Sequence, residues 1–319
     1  MKRILVTADL PGRMLKEISE KGDFAIKILS DIERENIKKA VSDFSPHGMV
    51  TLLSDRIGAD IIDLAPDLAV ISNYAAGYNN IDIKYCSKKN VAVTNTPDVL
   101  TDSTADIAIM LLLMASRRAV ESEKFTRSGL FKGWKPDLFL GRSLAGKTLG
   151  ILGLGRIGFA TAVRARAFGM NIIYWGRKKA SDKKERSIGA EYCGFEELIK
   201  SSDFISLHLP FVSDLHHLIG SKEISMMKKD AVIINTSRGQ LIDEQALAEA
   251  LHEKRIFAAG LDVYEKEPEI FSSLFRLDNV VLLPHIGSAT EETRAEMAEL
   301  ALSNCIDVLN GKMPSNKVN

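Results

Sequence analysis

Short apolar runs rich in β-branched residues alternate with amphipathic stretches along nearly the whole chain, in two separate series. In the first, "RILVTA" is followed by "GRMLKEISEKG", "FAIKIL" by "RENIKKAVSDF" and "MVTLLS" by "ADIIDLAP", and then come "LAVISNYAAG", "YCSKKN" and "VAVTNTP". In the second, which begins at Thr148, the strand-like runs read "TLGILGLG", "NIIYWG", "FISLHLP", "AVIINTS", "FAAGLDV" and "VVLLPHI". A strand reaches a parallel neighbour only through a covering crossover, so this order predicts parallel sheets with helices on both faces. The expected fold class is α/β, with two doubly wound parallel-sheet domains; 319 residues suit two domains of about 150 each. Between the series, "TDSTADIAIMLLLMASRRAV" predicts one long buried helix over 101–120. The stretch "SGLFKGWKPDLFLGRSLAGK" reads as irregular: a linker, a lid or a dimer arm. The closing "EETRAEMAELALSNCIDVLNG" predicts a helix, apolar on one face, that suits either domain.

Charge narrows the partners. Lys plus Arg and Asp plus Glu stand at 42 each, so no global field draws the chain to nucleic acid or to an anionic membrane. The opening "MKRILVTADLPG" is too soon interrupted for a signal peptide, and no apolar run approaches the length of a membrane span. Cys86, Cys193 and Cys305 lie far apart and match no metal spacing. The expectation is a cytoplasmic, reducing setting with no metal. Cys193, with no base near it in sequence, reads better as a structural thiol than as a reactive one.

"GLGRIG" places Gly153, Gly155 and Gly158 at G-x-G-x-x-G spacing after an apolar strand and before "FATAVRARAFG". The first glycine allows the tight turn, the second lets a pyrophosphate approach the backbone, and the third lets helix and strand pack closely. Free N–H groups at the helix start, where Arg156 and Ile157 lie, then favour the anion. The alternative is a strand–helix turn with no ligand. An acid about 20 residues further on would hold the ribose hydroxyls of NAD. That place instead reads "YWGRKK", with Gly176 where the acid would stand, followed by Arg177, Lys178 and Lys179. An acid repels the 2′-phosphate of NADP, whereas Arg clasps it through two hydrogen bonds. The run therefore predicts NADP, with NAD as the weaker alternative, over a merely solvated loop.

Three later segments carry reactive side chains just after strands: "INTSRGQLID" with Arg238, "GLDVYEKEPE" with Glu267, and "VVLLPHIGSA" with His285. Singly, these read as a turn anchor, a solvated acid and a core histidine. Together they suit reduction of a 2-keto acid. Arg clamps the carboxylate, histidine gives the carbonyl its proton, and a carboxylate orients the ring.

In these residues the chain resembles the D-isomer-specific 2-hydroxyacid dehydrogenases, and within them the glyoxylate and hydroxypyruvate reductase branch. The resemblance runs from "NYAAGYNNID" through "VTNTPDVLTDSTAD", "GKTLGILGLGRIG", "INTSRG" and "GLDVYEKEP" to "LPHIGSAT". It implies that Arg238 binds substrate, that Glu267 pairs with the histidine, and that His285 is the acid/base. It implies further that Asp262 contacts the nicotinamide amide and that Ala76 and Gly77 meet the substrate carboxylate through backbone N–H groups. Thr104, Pro210, Thr236, Ser237 and Gly287 then lie along the cofactor. The pocket is shaped by Leu53, Ser54, Trp134 and His285. The implied architecture is a flavodoxin-like substrate domain, 1–99 with 287–319, into which a Rossmann cofactor domain, 100–286, is inserted. The segment around 121–145 resembles the family's dimer arm, which implies a homodimer. The expected reaction is NADPH-dependent reduction of glyoxylate, hydroxypyruvate or 2-ketogluconate to the D-2-hydroxy acid. The alternatives are an NAD-dependent D-lactate or phosphoglycerate type of dehydrogenase, and a dinucleotide-sensing corepressor that keeps the same triad.

Overall fold

Twelve strands, all paired in parallel, form two sheets in this computed structural model, which describes residues 1–30 and 33–319. By contacts the chain divides into Met1–Leu100 with Ser288–Asn319, and Thr101–Gly287.

The first unit holds β1 (Lys2–Val6), β2 (Phe24–Ile28), β3 (Gly48–Leu52), β4 (Val70–Tyr74) and β5 (Ala92–Thr94), in the order β2-β1-β3-β4-β5. The order reverses between β1 and β3, as in flavodoxin-like sheets. Leu5, Met49, Ile71 and Val93 pack on one face against Ile37, Val41 and Ile61 of the crossover helices. The opposite face takes the closing helix Glu291–Leu309. Gly48 makes that approach possible, since a Cβ there would stand 2.7 Å from the Cys305 sulfur. Ser72 Oγ donates to the Ala301 carbonyl at 2.7 Å, and Tyr74 Oη to that of Arg294 at 2.8 Å. These contacts decide between the two placements that the apolar stripe of this helix left open.

The second unit contains β6 (Thr148–Leu152), β7 (Asn171–Trp175), β8 (Ala190–Tyr192), β9 (Phe204–Leu207), β10 (Val232–Asn235), β11 (Ala258–Leu261) and β12 (Val280–Leu282). Their order, β12-β11-β10-β9-β6-β7-β8, is that of a Rossmann sheet extended by one strand. Successive side chains enter opposite cores. Val232 and Ile234 join Leu149, Ile151 and Leu111 on one side, and Ile233 joins Leu152, Ile205 and Leu261 on the other. Both faces are buried, so the strands read as continuous apolar runs, and a one-residue slip would exchange the two cores.

Two expectations need correction. The helix foreseen over 101–120 ends at Ser116, and a second runs Ala119–Arg127. Arg118 between them is left-handed (φ 54°), and the Ser116 carbonyl accepts a hydrogen bond at 2.8 Å from the Arg142 N–H, a crossing segment invisible to local periodicity. The three-residue β8 was also missed, because it is too short to show alternation.

At Gly158, just past β6, a Cβ would overlap the Gly153 carbonyl oxygen. That neighbour is backbone and cannot turn aside. Gly158→Ala is expected to destabilise by about 1–3 kcal/mol, the usual range for overpacking, seen as a lower urea midpoint at unchanged slope. An unshifted midpoint would show that the turn relaxes freely.

Candidate active site

Strand order reverses between β6 and β9, and ligands of open parallel sheets bind at such reversals, beyond the carboxyl ends of the strands. The glycine turn stands there. Gly153 has φ 98°, which side-chain-bearing residues rarely adopt, and donates its N–H to the Trp175 carbonyl at 2.8 Å. A Cβ on Gly155 would meet nothing within 4 Å, so the turn is open on that side. Arg156 and Ile157 begin the helix Arg156–Ala167, whose N-terminus faces out of the turn. A cleft of about 280 Å³ opens here, lined by Gly153, Gly155, Gly176, Arg177, Lys178 and Pro210 among others.

The loop after β7 is held by two tyrosines. Tyr174 Oη accepts from the Ala180 N–H at 2.8 Å and donates to Glu185 at 2.7 Å, while Tyr192 Oη donates to the Gly176 carbonyl at 3.2 Å. Arg177 and Lys178 are exposed and pair with no acid among the described residues. Lys179 differs. It does not line the cleft, and its ammonium lies 3.3 Å from Glu185 and 3.7 Å from Asp182. Lys184 was not foreseen, since it sits seven places past Arg177 on the helix Asp182–Ile188. Its Nζ donates to the carbonyls of Leu154 and Gly155 at 2.8 and 3.3 Å and lies 4.9 Å from the Phe159 ring centroid. Burial lowers its pKa.

Thr104, Asp262 and Gly287 converge. A Cβ on Gly287 would be 3.2 Å from Asp262 Oδ2 and 3.3 Å from Thr104 Cγ2. Asp262 Oδ1 accepts from the Ile286 N–H at 2.7 Å, whereas buried Oδ2 makes no hydrogen bond of good geometry. Burial raises the pKa of this acid; the N–H groups of Ile286 and Gly287 and the charge of His285 only partly oppose it. Buried Thr236 Oγ1 also lacks a partner. Asn235, which sequence reasoning passed over, shapes the turn after β10. Its Oδ1 accepts from Ser237 N and Oγ at 3.0 and 2.9 Å, and its Nδ2 donates to the Arg238 carbonyl at 2.8 Å. Orphaned acceptors and an open glycine cradle fit a bound dinucleotide, whose amide and hydroxyl donors would satisfy them.

His285 Nδ1 lies 2.8 Å from Glu267 Oε2, and Glu267 Oε1 accepts from the Tyr264 N–H at 2.9 Å. The His285 backbone is left-handed (φ 55°), a conformation that costs energy and is found where surrounding structure enforces it. Burial raises the Glu267 pKa, but its bond to His285, the histidine charge, the Tyr264 N–H and Arg238 outweigh this, and the net shift is downward. Burial lowers the Arg238 pKa, against the pull of Glu267. Arg238 Nη1 donates to the Ser237 carbonyl at 2.6 Å.

The remaining positions lie on the first unit and on the arm. Ala76 and Gly77 follow β4, and their carbonyls accept from Asn95 Nδ2 (2.7 Å) and Asn73 Nδ2 (2.8 Å). A trans peptide points its N–H opposite to its C=O, so Asn95 also sets the direction of the Gly77 N–H. Leu53 and Ser54 follow β3, half-buried and exposed respectively. Trp134 is 82% exposed, beside exposed Leu130, Phe131 and Leu140. Cys193 is no activated thiol, for burial and then Glu197 and Glu191 raise its pKa.

A parallel sheet with a glycine cradle at its reversal defines an NAD(P)-binding domain. Residues 109–287 match the family model "D-isomer specific 2-hydroxyacid dehydrogenase, NAD binding domain". The chain is 53% identical over 275 residues to a glyoxylate reductase of Thermococcus litoralis, covering 85% of this chain and 83% of that one. It is 44% identical over 324 residues to a glyoxylate reductase of Thermococcus onnurineus, covering 99% and 96%. Among solved structures, the NADPH-dependent glyoxylate/hydroxypyruvate reductase of Sinorhizobium meliloti in complex with NADP and malonate superposes with a TM-score of 0.88 at 31% identity, covering 99% of this chain and 96% of that one. The chain belongs to the D-isomer specific 2-hydroxyacid dehydrogenase family, with its similarity to the glyoxylate reductases among its members. It is thus an oxidoreductase of the 2-hydroxyacid dehydrogenase type. No helix among the described residues is long and apolar enough to cross a membrane.

His208 also lines the cleft. Its Nε2 is 2.9 Å from Ser206 Oγ, its buried Nδ1 has no partner, and burial lowers its pKa to about 3. The unfolded chain therefore binds a proton that the native one excludes between about pH 6.5 and 3, so this group makes stability fall as the pH drops through that window. The slope is at most about 1.4 kcal/mol per pH unit. His208→Gln should flatten the acid limb of a stability–pH curve from chemical unfolding. An identical limb in the variant would mean that the histidine already titrates in the folded protein.

Proposed function

We propose that the chain reduces a small 2-keto acid of the glyoxylate or hydroxypyruvate kind, with 2-ketogluconate a further candidate, to the D-2-hydroxy acid with NADPH. The observation that carries the cofactor preference is the cleft beyond β7, where Gly176 replaces an acid, Arg177 and Lys178 are unpaired, and Lys184 adds a third cation. A dianionic 2′-phosphate suits that field, and a bare ribose leaves it unanswered. Glu185, on the helix that follows the loop, is occupied by Tyr174 and Lys179. The S. meliloti reductase, whose structure contains NADP, and the Thermococcus glyoxylate reductases support the same reading.

The geometry supports the following assignment of roles. Bound in the cleft, the cofactor supplies the hydride through its nicotinamide. Arg238 clamps the substrate carboxylate by its planar fork and polarises the ketone. His285 delivers the proton to the ketone oxygen. Glu267 fixes the ring by holding Nδ1, which leaves Nε2 for substrate. Ala76 and Gly77, oriented by Asn95 and Asn73, are the backbone donors assigned to the carboxylate. Asp262 Oδ2 and Thr236 Oγ1 are assigned to the cofactor, with Thr104, Ser237, Pro210 and Gly287 beside it. Met1–Leu100 with the closing helix forms the substrate domain, and Thr101–Gly287 the cofactor domain. The exposed apolar residues Leu130, Phe131, Trp134 and Leu140 fit the interface of a homodimer. A cytoplasmic setting accords with the three free thiols.

Arg238→Lys keeps the charge and loses the fork. The expected loss is about 2–4 kcal/mol of transition-state stabilisation, comparable to removal of one preorganised donor. It should be read as lower kcat/KM for glyoxylate with KM for NADPH little changed; near-wild-type efficiency would remove Arg238 from the clamp.

Cofactor choice is tested by steady-state kinetics with both nucleotides. Arg177→Ala should raise KM for NADPH by roughly tenfold to a hundredfold, about 1.5–3 kcal/mol, and leave NADH nearly unchanged. Gly176→Asp should invert the preference by repelling the phosphate and offering the ribose a partner. Lys184→Met should weaken both nucleotides, NADPH the more, because its ammonium braces turn carbonyls that both share and adds to the positive charge of the cleft. If the wild type prefers NADH, or Arg177→Ala harms both equally, the basic run is only a solvated loop.

A further inference from the structure

The second unit carries another side-chain cluster with an unused chemistry. His216 and His217 follow the turn Ser213–Leu215, and Glu265 follows β11. Nε2 of His216 and Nε2 of His217 lie 3.3 and 3.0 Å from the same oxygen, Glu265 Oε1, and the three ligand atoms fall within 4.8 Å of one another. We infer that His216, His217 and Glu265 form a site for one divalent transition-metal ion of the zinc class.

The distances fit. Metal–ligand bonds of about 2.0–2.1 Å at a tetrahedral angle put neighbouring donor atoms about 3.3 Å apart. The Nε2–Oε1 separations of 3.3 and 3.0 Å are near that value, and binding an ion would turn the two stacked rings apart until both planes meet it. Two imidazoles with one carboxylate select zinc, cobalt, nickel or copper(II) over magnesium and calcium, which prefer all-oxygen sets. Water would complete the coordination.

The backbone is arranged for this convergence. His217 is left-handed (φ 51°), and its ring stacks on that of His216 at 3.9 Å between centroids, 23° from parallel. Adjacent side chains in an extended strand would point apart, so a strained conformation is held here that brings them together. Gln240 ties both halves of the site. Its carbonyl accepts from the His217 N–H at 2.9 Å, and its Nε2 donates to the Glu265 carbonyl at 2.7 Å. Glu244 takes the Glu265 N–H at 2.8 Å. Asp243 Oδ2, 3.9 Å from His217 Nδ1, stands on the far side of that ring, where a carboxylate steadies a ligating histidine. No motif signals the site, because the histidine pair and its acid lie 48 residues apart.

An ion here would clamp the segment after β9 to the segment after β11, and its effect is on stability. The test uses the full, untagged chain, dialysed against chelator and titrated with Co²⁺ and Zn²⁺. The expected results are one equivalent of Co²⁺ per chain with the visible absorption of a low-symmetry N/O site, its displacement by Zn²⁺, and a rise in Tm with Zn²⁺. His216→Ala removes an exposed ligand without touching the core. His217→Asn keeps a residue type that tolerates the left-handed backbone. Each should weaken Co²⁺ binding at least tenfold while the metal-free Tm stays near wild type. Absence of a stoichiometric Co²⁺ complex, or unchanged affinity in both variants, would overturn the site. Glu267→Gln, in the proposed catalytic pair, is the control for competing binding there and should leave the Co²⁺ stoichiometry intact; its loss in that variant would count against the cluster.

Discussion

The close approach of the Gly158 helix turn to the Gly153 carbonyl governs the geometry of the cofactor domain. Without a side chain at 158 the helix Arg156–Ala167 starts against the end of β6, and its first N–H groups open into the gap where the strand order reverses. The gap itself follows from topology. β7 lies on one side of β6 and β9 on the other, so the connections leave in opposite directions and neither covers the crevice. Residues that end β6, β7 and β9 therefore share one cleft, although Gly153, Arg177 and Pro210 are scattered along the chain.

What the sequence disclosed and what it withheld divide along physical lines. Continuous apolar runs revealed eleven of the twelve strands, because a strand buried on both faces has no other way to be written. Ends of strands singled out Arg238, Glu267 and His285 as candidates, and the structure brings Glu267 and His285 to 2.8 Å of each other. Features that depend on a partner distant in sequence stayed hidden. Arg118 breaks its helix where the Arg142 N–H docks, Asn235 braces a turn through its side chain, and Lys184 reaches back to carbonyls 29 and 30 residues earlier. The basic run was legible as charge and not as geometry. Its three cations look alike in sequence, yet Glu185 engages Lys179 and leaves Arg177 and Lys178 unpaired.

Placement of charge in the cleft is also a matter of what is tied down. A cation held by two carbonyls, like Lys184, loses little further freedom when an anion arrives, whereas an exposed Lys must be ordered at that moment. Tyr174 and Tyr192 restrain the backbone of the loop that carries Arg177 and so reduce the same cost for its guanidinium. Preorganised donors of this kind favour a phosphate more than their number alone would suggest.

Two acids beside His285, buried Asp262 and the more exposed Glu267, are driven in opposite directions. Asp262 is raised by burial, with one oxygen bonded to the Ile286 N–H and the other unpartnered. Glu267 experiences burial as well, yet its contact with His285 and the field of Arg238 bring it below the usual carboxylate range. Glu267 is thus the better-stabilised anion of the two. Environments that separate the pKa values of neighbouring groups are how a site gives them different tasks. Here the proposed tasks separate cleanly. Glu267, the better-stabilised anion, holds the proton donor, and Asp262, the acid whose charge is disfavoured, keeps an unused oxygen beside Gly287 and Thr104 for a neutral hydrogen-bond donor.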